Sequence, residues 1–188
     1  MKEALLYERH PENKVKCALC EHRCLISDGR RGICNVRENR EGTLYTHAYG
    51  RTIARHVDPI EKKPLYHFQP GSHSLSVATP GCNFQCRWCQ NCEISQVQHE
   101  GILFMGESAT PQELVDECRQ RQCDSISYTY TEPTIFFEYS LETAQLARDA
   151  GIANLYVTNG FMTPEMLDTI YPLLDAANID LKAFRDDT

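Results

Sequence analysis

The 188-residue chain lacks the long apolar runs and the excess of basic residues that mark two large classes of protein. No stretch approaches the roughly 18 consecutive apolar residues that a membrane-spanning helix requires. Residues 1–14 are polar and charged, without the apolar segment of a signal peptide. Lysine and arginine number 19 against 26 aspartates and glutamates, a formal net charge of −7, which excludes a broad basic surface for nucleic acid. We therefore expect a soluble, cytosolic protein that binds neither membrane nor nucleic acid.

Cysteine, in contrast, is abundant, with ten residues. In a reducing compartment so many thiols are more often metal ligands than disulfide partners. Two cysteines stand apart, Cys118 and Cys123, and Cys118 falls on the apolar side of a predicted helix, where we expect a small buried hydrophobe. The other eight form two clusters, at positions 17, 20, 24 and 34 and at positions 82, 86, 89 and 92.

The second cluster opens with Cys82, Cys86 and Cys89 at the spacing C-x3-C-x2-C, directly after a predicted strand at 74–79 and a Pro-Gly turn. Three thiolates are one short of the four that complete an ordinary iron–sulfur site. A metal site with an open fourth position leaves room for a substrate or cofactor. The alternative is a structural zinc knuckle, with Cys92 as the fourth ligand.

The first cluster, Cys17, Cys20, Cys24 and Cys34, lies in a segment with short elements and glycine-containing loops. So small a segment buries little core, and a bound metal would supply its stability. A closed four-ligand site is usually structural, which favours zinc or another structural metal. Four cysteines suit a second iron–sulfur cluster equally well, and cysteines without metal are the remaining interpretation.

The rest of the chain alternates strands and helices, after a short helix predicted at 2–9 and short strands around a glycine turn at 44–60. This order predicts an α/β fold with a parallel sheet and right-handed crossovers. We divide the chain into a Cys-rich metal-binding segment with its linker, 1–70, and a core, 71–188. The predicted strands are 74–79, 125–130, 154–158 and 178–183, and the predicted helices begin at Thr110, at Thr134 and at Thr163, where Thr-Pro caps open the first and third.

Polar residues that are candidates for a functional site follow the carboxyl ends of these strands. Barrels built from parallel strands and helices carry their functional groups at this end. The candidates are Cys82 onward, Glu132, Thr158 with Asn159, and Asp180 with Lys182. Asp180 and Lys182 are two residues apart, so a strand would present both on one face. A charged pair inside a parallel strand is costly without partners, which favours a functional role over a solvated face.

The cysteine motif resembles that of the radical S-adenosylmethionine (radical SAM) enzymes, with Trp88 at the aromatic position of C-x3-C-x-aromatic-C. The wider strings KPLYHFQPGS, GCNF and CQN at 63–72, 81–84 and 89–91 resemble one branch, the pyruvate formate-lyase activating enzyme-like proteins, and within it the AmmeMemoRadiSam system enzymes. The resemblance implies a partial (β/α) barrel, here apparently truncated after the fourth strand, with a small N-terminal Cys-rich segment. A partner or a missing segment would then complete the barrel and cover the exposed last strand.

The resemblance also implies function. Cys82, Cys86 and Cys89 would hold a [4Fe–4S] cluster, and reductive cleavage of S-adenosylmethionine would give a 5′-deoxyadenosyl radical that abstracts hydrogen from an unknown substrate, in a glycyl-radical-activase-like reaction. An electron donor such as flavodoxin or ferredoxin would be the partner. The alternative is a non-catalytic iron–sulfur or zinc scaffold that binds a partner.

Single positions carry over from the family as cofactor-binding candidates. Glu132 aligns with the acidic end of the family's Gly-Gly-Glu strand, although Tyr130 and Thr131 replace the two glycines, and it would accept a hydrogen bond from the methionine ammonium. Its alternative role is a carboxylate in the first turn of the following helix. Asp180 and Lys182 match the Asp-Leu-Lys of the activating enzymes, with Lys182 facing the methionine carboxylate. The full set is Trp88, Glu132, Asn159, Asp180 and Lys182.

Overall fold

A computed structural model of the chain describes residues 1–96 and 106–185. The N-terminal region consists of two small antiparallel sheets, ordered β1-β6-β5 and β2-β3-β4. No helix in the described ranges is long and apolar enough to cross a membrane. The strands are β1 Lys2–Glu3, β2 Tyr7–His10, β3 Lys14–Cys17, β4 Leu25–Ile26, β5 Arg37–Arg40 and β6 Thr43–Thr46.

The short helix predicted at 2–9 is therefore wrong. Lys2 and Glu3 pair with β6, and Tyr7–His10 pairs with β3. Leu6 between them has a φ of +55°, a left-handed conformation that interrupts a helix. Pairing with distant strands overrides the weak local helix preference of this segment.

The main sheet has five strands in the order β13-β12-β11-β9-β8. Four of them, β9, β11, β12 and β13, pair in parallel with their neighbours. The fifth, β8, pairs antiparallel with β9. The remaining elements are β7 Arg51–Thr52, β8 Ala54–Pro59, β9 His73–Ala78, α1 Cys92–Ser95, β10 Glu107–Ser108, α2 Pro111–Gln120, β11 Ser125–Tyr128, α3 Phe137–Asp149, β12 Ala153–Thr158, α4 Pro164–Ile170 and β13 Ala176–Ile179.

The central parallel sheet confirms the predicted α/β class. The antiparallel strand Ala54–Pro59 was expected only as one of several short strands around a glycine turn, and it forms the outer edge of the main sheet. Its Asp58 side chain is buried and hydrogen-bonds Ser76 of β9 at 2.8 Å. A strand of the segment 1–70 therefore belongs to the same sheet as the core strands.

Two helices begin where the sequence predicts. Thr110 forms a capping box with Glu113 at the start of α2, and Thr163 accepts a hydrogen bond from the Met166 amide at the start of α4. The helix predicted from Thr134 begins instead as a 3-10 turn, Pro133–Phe136, that runs into α3. Cys118 of α2 is fully buried among apolar side chains, as predicted.

The fourth strand is shorter than predicted. It ends at Ile179, because its neighbour β12 ends at Thr158 and offers one last carbonyl, to the Asp180 amide at 2.8 Å. The prediction that Asp180 and Lys182 share a strand face is wrong, since both lie in the segment after the strand. Around them Ile179, Leu181 and Phe184 are exposed.

Candidate functional site

A cavity of about 620 Å³ opens beyond the carboxyl ends of the parallel strands and adjoins a second of about 870 Å³. The two cavities share residues of the cysteine loop and of the segment after β13. This is the edge at which an open α/β sheet binds ligands. The smaller cavity is lined by all eight residues predicted for the cluster and for S-adenosylmethionine: Cys82, Cys86, Cys89, Trp88, Glu132, Asn159, Asp180 and Lys182.

The cysteine loop leaves β9 and passes over the sheet edge. The Phe84 amide donates to the Cys82 sulfur at 3.4 Å, and the Cys89 sulfur lies 3.2 Å from the Ser95 hydroxyl. Gly81 has a φ of +105°, and a Cβ there would lie 2.7 Å from Val36 of the N-terminal region. Only glycine therefore fits at the start of this loop.

Burial raises the pKa of the Cys82 thiol to about 12. Cys92, at the start of α1, is exposed and does not line the cavity wall with the three other thiols. In residues 1–96 and 106–185 no three or more His, Cys, Asp or Glu side chains stand in a ready metal-binding arrangement. The three cysteines nevertheless line one cavity, beside an amide that donates to the Cys82 sulfur and a hydroxyl 3.2 Å from the Cys89 sulfur, and this set fits a three-thiolate cluster.

Glu132 is buried between the ends of β11 and β12. One carboxylate oxygen accepts hydrogen bonds from Thr134 and from the Thr158 hydroxyl, the latter at 2.6 Å, and the other accepts from the Asn159 amide at 2.8 Å. Burial raises the pKa of Glu132, against these hydrogen bonds, which lower it. Glu132 also caps the following 3-10 turn, which agrees with its alternative role as a carboxylate at the start of the next helix. The same residue lines the cavity.

Asp180 and Lys182 form an ion pair of 2.7 Å on the cavity wall. Asn178 donates to the other Asp180 oxygen at 2.7 Å. Trp88 is half exposed at the junction of the two cavities. The ion pair and Trp88 therefore line both cavities, and they come from two different loops.

Sequence reasoning missed a second group of residues that line the same cavity. Tyr130 has a φ of +63°, the left-handed conformation that glycine adopts readily and tyrosine rarely does. Its hydroxyl donates to Asp58, and the Lys63 ammonium lies 4.6 Å from its ring centre. These contacts hold the Tyr130 side chain in place although its backbone is left-handed.

Asp58 is the centre of this group. It accepts hydrogen bonds from Lys62 and from the buried Lys63, both at 2.7 Å, in addition to those from Ser76 and Tyr130. Burial acts to raise the pKa of Asp58, but these hydrogen bonds outweigh it and hold the pKa well below its usual value. The available sequence signal was the charge run Asp58 to Lys63, which resembles an ordinary polar loop.

The N-terminal cysteine quartet lines neither of these two cavities. Cys17, Cys20, Cys24 and Cys34 line a separate small cavity of about 10 Å³. Burial raises the pKa of the Cys20 thiol to about 11 and that of Cys34 to about 12. The two cysteine clusters thus occupy different sites.

One residue connects the two sites, Asn83 of the cysteine loop, which is buried. The Asn83 carbonyl accepts from His22 at 2.8 Å, and its side-chain oxygen accepts from Asn159 at 2.7 Å. The N-terminal region therefore contacts residues that line the two larger cavities.

Comparison with known proteins gives one family and several relatives. The model of the Radical SAM superfamily matches residues 76–188. "Uncharacterized protein MJ0808" of Methanocaldococcus jannaschii is 44% identical over 186 residues, 99% of this chain and 55% of that protein. A "7-carboxy-7-deazaguanine synthase" of Thermococcus kodakarensis is 28% identical, over 60% of this chain and 50% of its own length. "Putative glycyl-radical enzyme activating enzyme MJ1632" of M. jannaschii is 27% identical, over 60% and 41%.

The chain spans about half the length of the relatives it matches. The family match begins in β9 and includes the cysteine loop, Glu132, and the Asp180–Lys182 pair. The N-terminal quartet lies outside that match.

Proposed function

The chain belongs to the radical SAM superfamily, and from this premise we propose that it is an enzyme that cleaves S-adenosylmethionine reductively at the 620 Å³ cavity. Membership of the superfamily implies a [4Fe–4S] cluster and S-adenosylmethionine as cofactors. When bound, the cluster supplies the electron that breaks a sulfonium carbon–sulfur bond and yields a 5′-deoxyadenosyl radical. Cys82, Cys86 and Cys89 would hold the cluster, and Cys92 would not.

The observation that carries this proposal is the convergence of residues from four separate stretches of chain on one cavity. The three thiols come from the loop after β9, and Glu132 and Asn159 follow β11 and β12. Asp180 and Lys182 follow β13. Three thiolates leave one iron of a four-iron cluster without a protein ligand, so the adjacent polar wall is where a chelating cofactor would sit.

The polar wall carries charges that complement an amino-acid moiety. Glu132 would accept a hydrogen bond from an ammonium group, and Lys182 would face a carboxylate. Asp180 holds the Lys182 ammonium at 2.7 Å and so limits where it can reach. Trp88 lines both cavities and would offer an apolar surface to a bound cofactor.

The radical would abstract a hydrogen atom from a substrate that the residues do not identify, in a reaction similar to glycyl-radical activation. Support for this finer proposal is the resemblance of the flanking strings to the pyruvate formate-lyase activating enzyme-like branch and to AmmeMemoRadiSam system enzymes, together with the 27% identical relative. A flavodoxin or ferredoxin would donate the electron. The second candidate, a non-catalytic iron–sulfur scaffold, rests on the exposed apolar residues after β13.

The test is product release from the reconstituted chain. Protein loaded anaerobically with iron and sulfide, reduced with dithionite and given S-adenosylmethionine should release 5′-deoxyadenosine. Cys92→Ala is the matched control and should retain iron and release, whereas Cys86→Ala should lose both. A fully iron-loaded native chain that releases no 5′-deoxyadenosine would support the scaffold, and equal iron loss in the two variants would overturn the cluster assignment.

A further inference from the structure

We propose that Cys17, Cys20, Cys24 and Cys34 bind a single zinc ion as a closed four-thiolate site, with the Arg37 guanidinium as a buried hydrogen-bond donor to it. The site is separate from the cavity assigned to S-adenosylmethionine and does not depend on that assignment.

The shape of the small cavity favours one ion. All four cysteines line it, although the described residues hold no preformed metal-binding group, and the rest of its wall is mainly apolar. Its volume of about 10 Å³ is close to the space of one water-sized sphere. A closed set of four cysteines with no open coordination position is the usual form of a structural zinc site.

Arg37 supplies an independent observation. It lines the same cavity, and its side chain is 1% exposed. One terminal nitrogen donates to the Leu5 carbonyl at 3.1 Å and the other to Glu138 at 2.5 Å. The Arg37 Nε is buried and has no hydrogen-bond partner among the described residues.

A buried N–H without an acceptor costs about 1–3 kcal/mol, so such groups are rare unless something fills the site. Thiolates bound to a metal are good acceptors, and outer donors of this kind stabilise metal–thiolate sites. A neutral thiol is a weak acceptor by comparison. The unpartnered Nε–H of Arg37, a residue that lines the quartet's cavity, therefore favours a metal–thiolate acceptor over four free thiols.

The position of the site gives it a structural role. Thr163 donates to the Ala18 carbonyl at 2.7 Å from the start of α4, and Cys20 pairs with Met162 in an isolated β-bridge. His22, which also lines the small cavity, contacts the Asn83 carbonyl through its Nε2 at 2.8 Å. A metal that fixes the quartet would thus also fix the loop that begins at Gly81, against which the N-terminal region packs.

Metal content of the full chain tests the site. Cys82, Cys86 and Cys89 are first replaced by alanine, so that zinc cannot bind there. Protein prepared with zinc and without iron should contain about one zinc per chain, and adding Cys24→Ala should reduce it at least tenfold. Cys92→Ala in the same background is the matched control and should leave the zinc unchanged.

Cobalt keeps the test independent of whether the Cys24 variant folds. Cobalt added to the background chain should give the visible absorption of a tetrahedral four-thiolate site, at a stoichiometry of one per chain. Less than a tenth of an equivalent of either metal would overturn the proposal. Iron and sulfide reconstitution that places about four irons in the background chain would overturn the single-ion assignment.

The role of Arg37 is tested against its own partner. Arg37→Met combined with Glu138→Gln avoids an unpaired buried carboxylate, and Glu138→Gln alone is the control. Zinc transfer to a chelator should be at least tenfold faster in the double variant than in the control. Equal rates would remove Arg37 from the site. These readouts do not depend on S-adenosylmethionine cleavage, so either proposal can fail alone.

Discussion

The two cysteine clusters differ in what surrounds them. Cys82, Cys86 and Cys89 share one wall of a cavity of about 620 Å³ whose other walls carry charges, whereas the N-terminal quartet surrounds about 10 Å³ lined mainly by apolar side chains. Three thiols beside a large cavity with charged side chains in its walls suit a site that must admit a cofactor. Four thiols around a space of one ion suit a site that only holds the fold together. The spacing of the cysteines suggests this difference, and the cavities support it.

The two sites also differ in how their walls are fixed. Asp58 organises one wall of the open cavity through charged hydrogen bonds with Lys62, Lys63 and Tyr130. Among the described residues that line the quartet's cavity, Arg37 is the only lysine, arginine, aspartate or glutamate. If this account holds, substitutions in the charged wall should have the largest effects on the free energy of unfolding.

Asp58→Asn should have the largest effect. It leaves the Lys63 ammonium, 2% exposed, without its counter-charge, and we expect a loss of about 3–5 kcal/mol in the free energy of unfolding. Denaturant titration of the zinc-loaded, cluster-free protein measures it. Lys62→Met is the control, because the Lys62 side chain is 59% exposed and its ion pair should contribute about 0–1 kcal/mol. Equal losses in the two variants would mean that Lys63 is not held by this charge pair.

Glu132→Gln should be next. The amide cannot accept from the Thr134 and Thr158 hydroxyls and the Asn159 amide as the carboxylate does. We expect a loss of about 1–3 kcal/mol in unfolding free energy and weaker S-adenosylmethionine binding by calorimetry of the iron-loaded protein. Glu142→Gln, at a half-exposed position that is paired with Lys2, should cost at most about 1 kcal/mol and leave the binding unchanged. Weaker binding without destabilisation would assign Glu132 to the cofactor alone, and destabilisation without weaker binding would contradict its cofactor role.

Thr163→Ala tests the contact between the two regions. The hydroxyl caps α4 and also donates to the Ala18 carbonyl beside the quartet. We expect a loss of about 1–2 kcal/mol, larger than that of Thr110→Ala, whose cap of about 1 kcal/mol has no contact of this kind. Chemical denaturation of both variants measures the difference. If the two losses are the same, the contact between α4 and the N-terminal region adds nothing to stability.

The smallest effect is a pH dependence in the N-terminal region. The hydrogen bond from Arg40 lowers the pKa of Glu38 to about 2 against burial, and His47 adds to it. Because the unfolded value is 4.5, this stabilisation is complete above about pH 4.5 and is lost as the pH falls toward 2. Arg40 is half exposed, so about 1 kcal/mol is expected. The free energy of unfolding, measured by denaturant titration, should be larger for the native protein than for Glu38→Gln by this amount at pH 6 and equal near pH 2. A difference that is constant across this range would contradict the assignment.

The parts of the fold that were predicted correctly have local signals. The Thr-Pro caps of α2 and α4 and the cysteine loop after β9 are recognisable from a few adjacent residues. The end of β13 was misplaced because it is set by the length of its neighbour β12. The helix predicted at 2–9 was wrong because its pairing partners lie at β3 and β6.

The candidate site follows the same division. The eight residues predicted for the cofactors line one cavity, because strand ends place them there. Tyr130 and Lys63 were missed, because their roles depend on Asp58, which lies in an antiparallel strand that the sequence did not connect to the sheet. Contacts between distant residues determine both the left-handed tyrosine and the buried lysine, and no short motif records them.

The central claim is that the three-cysteine site has an open coordination position and the quartet does not. Electron paramagnetic resonance of the reduced, iron-loaded chain, recorded with and without S-adenosylmethionine, tests it most directly. We predict that S-adenosylmethionine changes the cluster spectrum of the native chain and of Cys24→Ala, and that Cys86→Ala has no such cluster. A cluster spectrum that S-adenosylmethionine leaves unchanged, or one that disappears with Cys24 and survives without Cys86, would contradict the account.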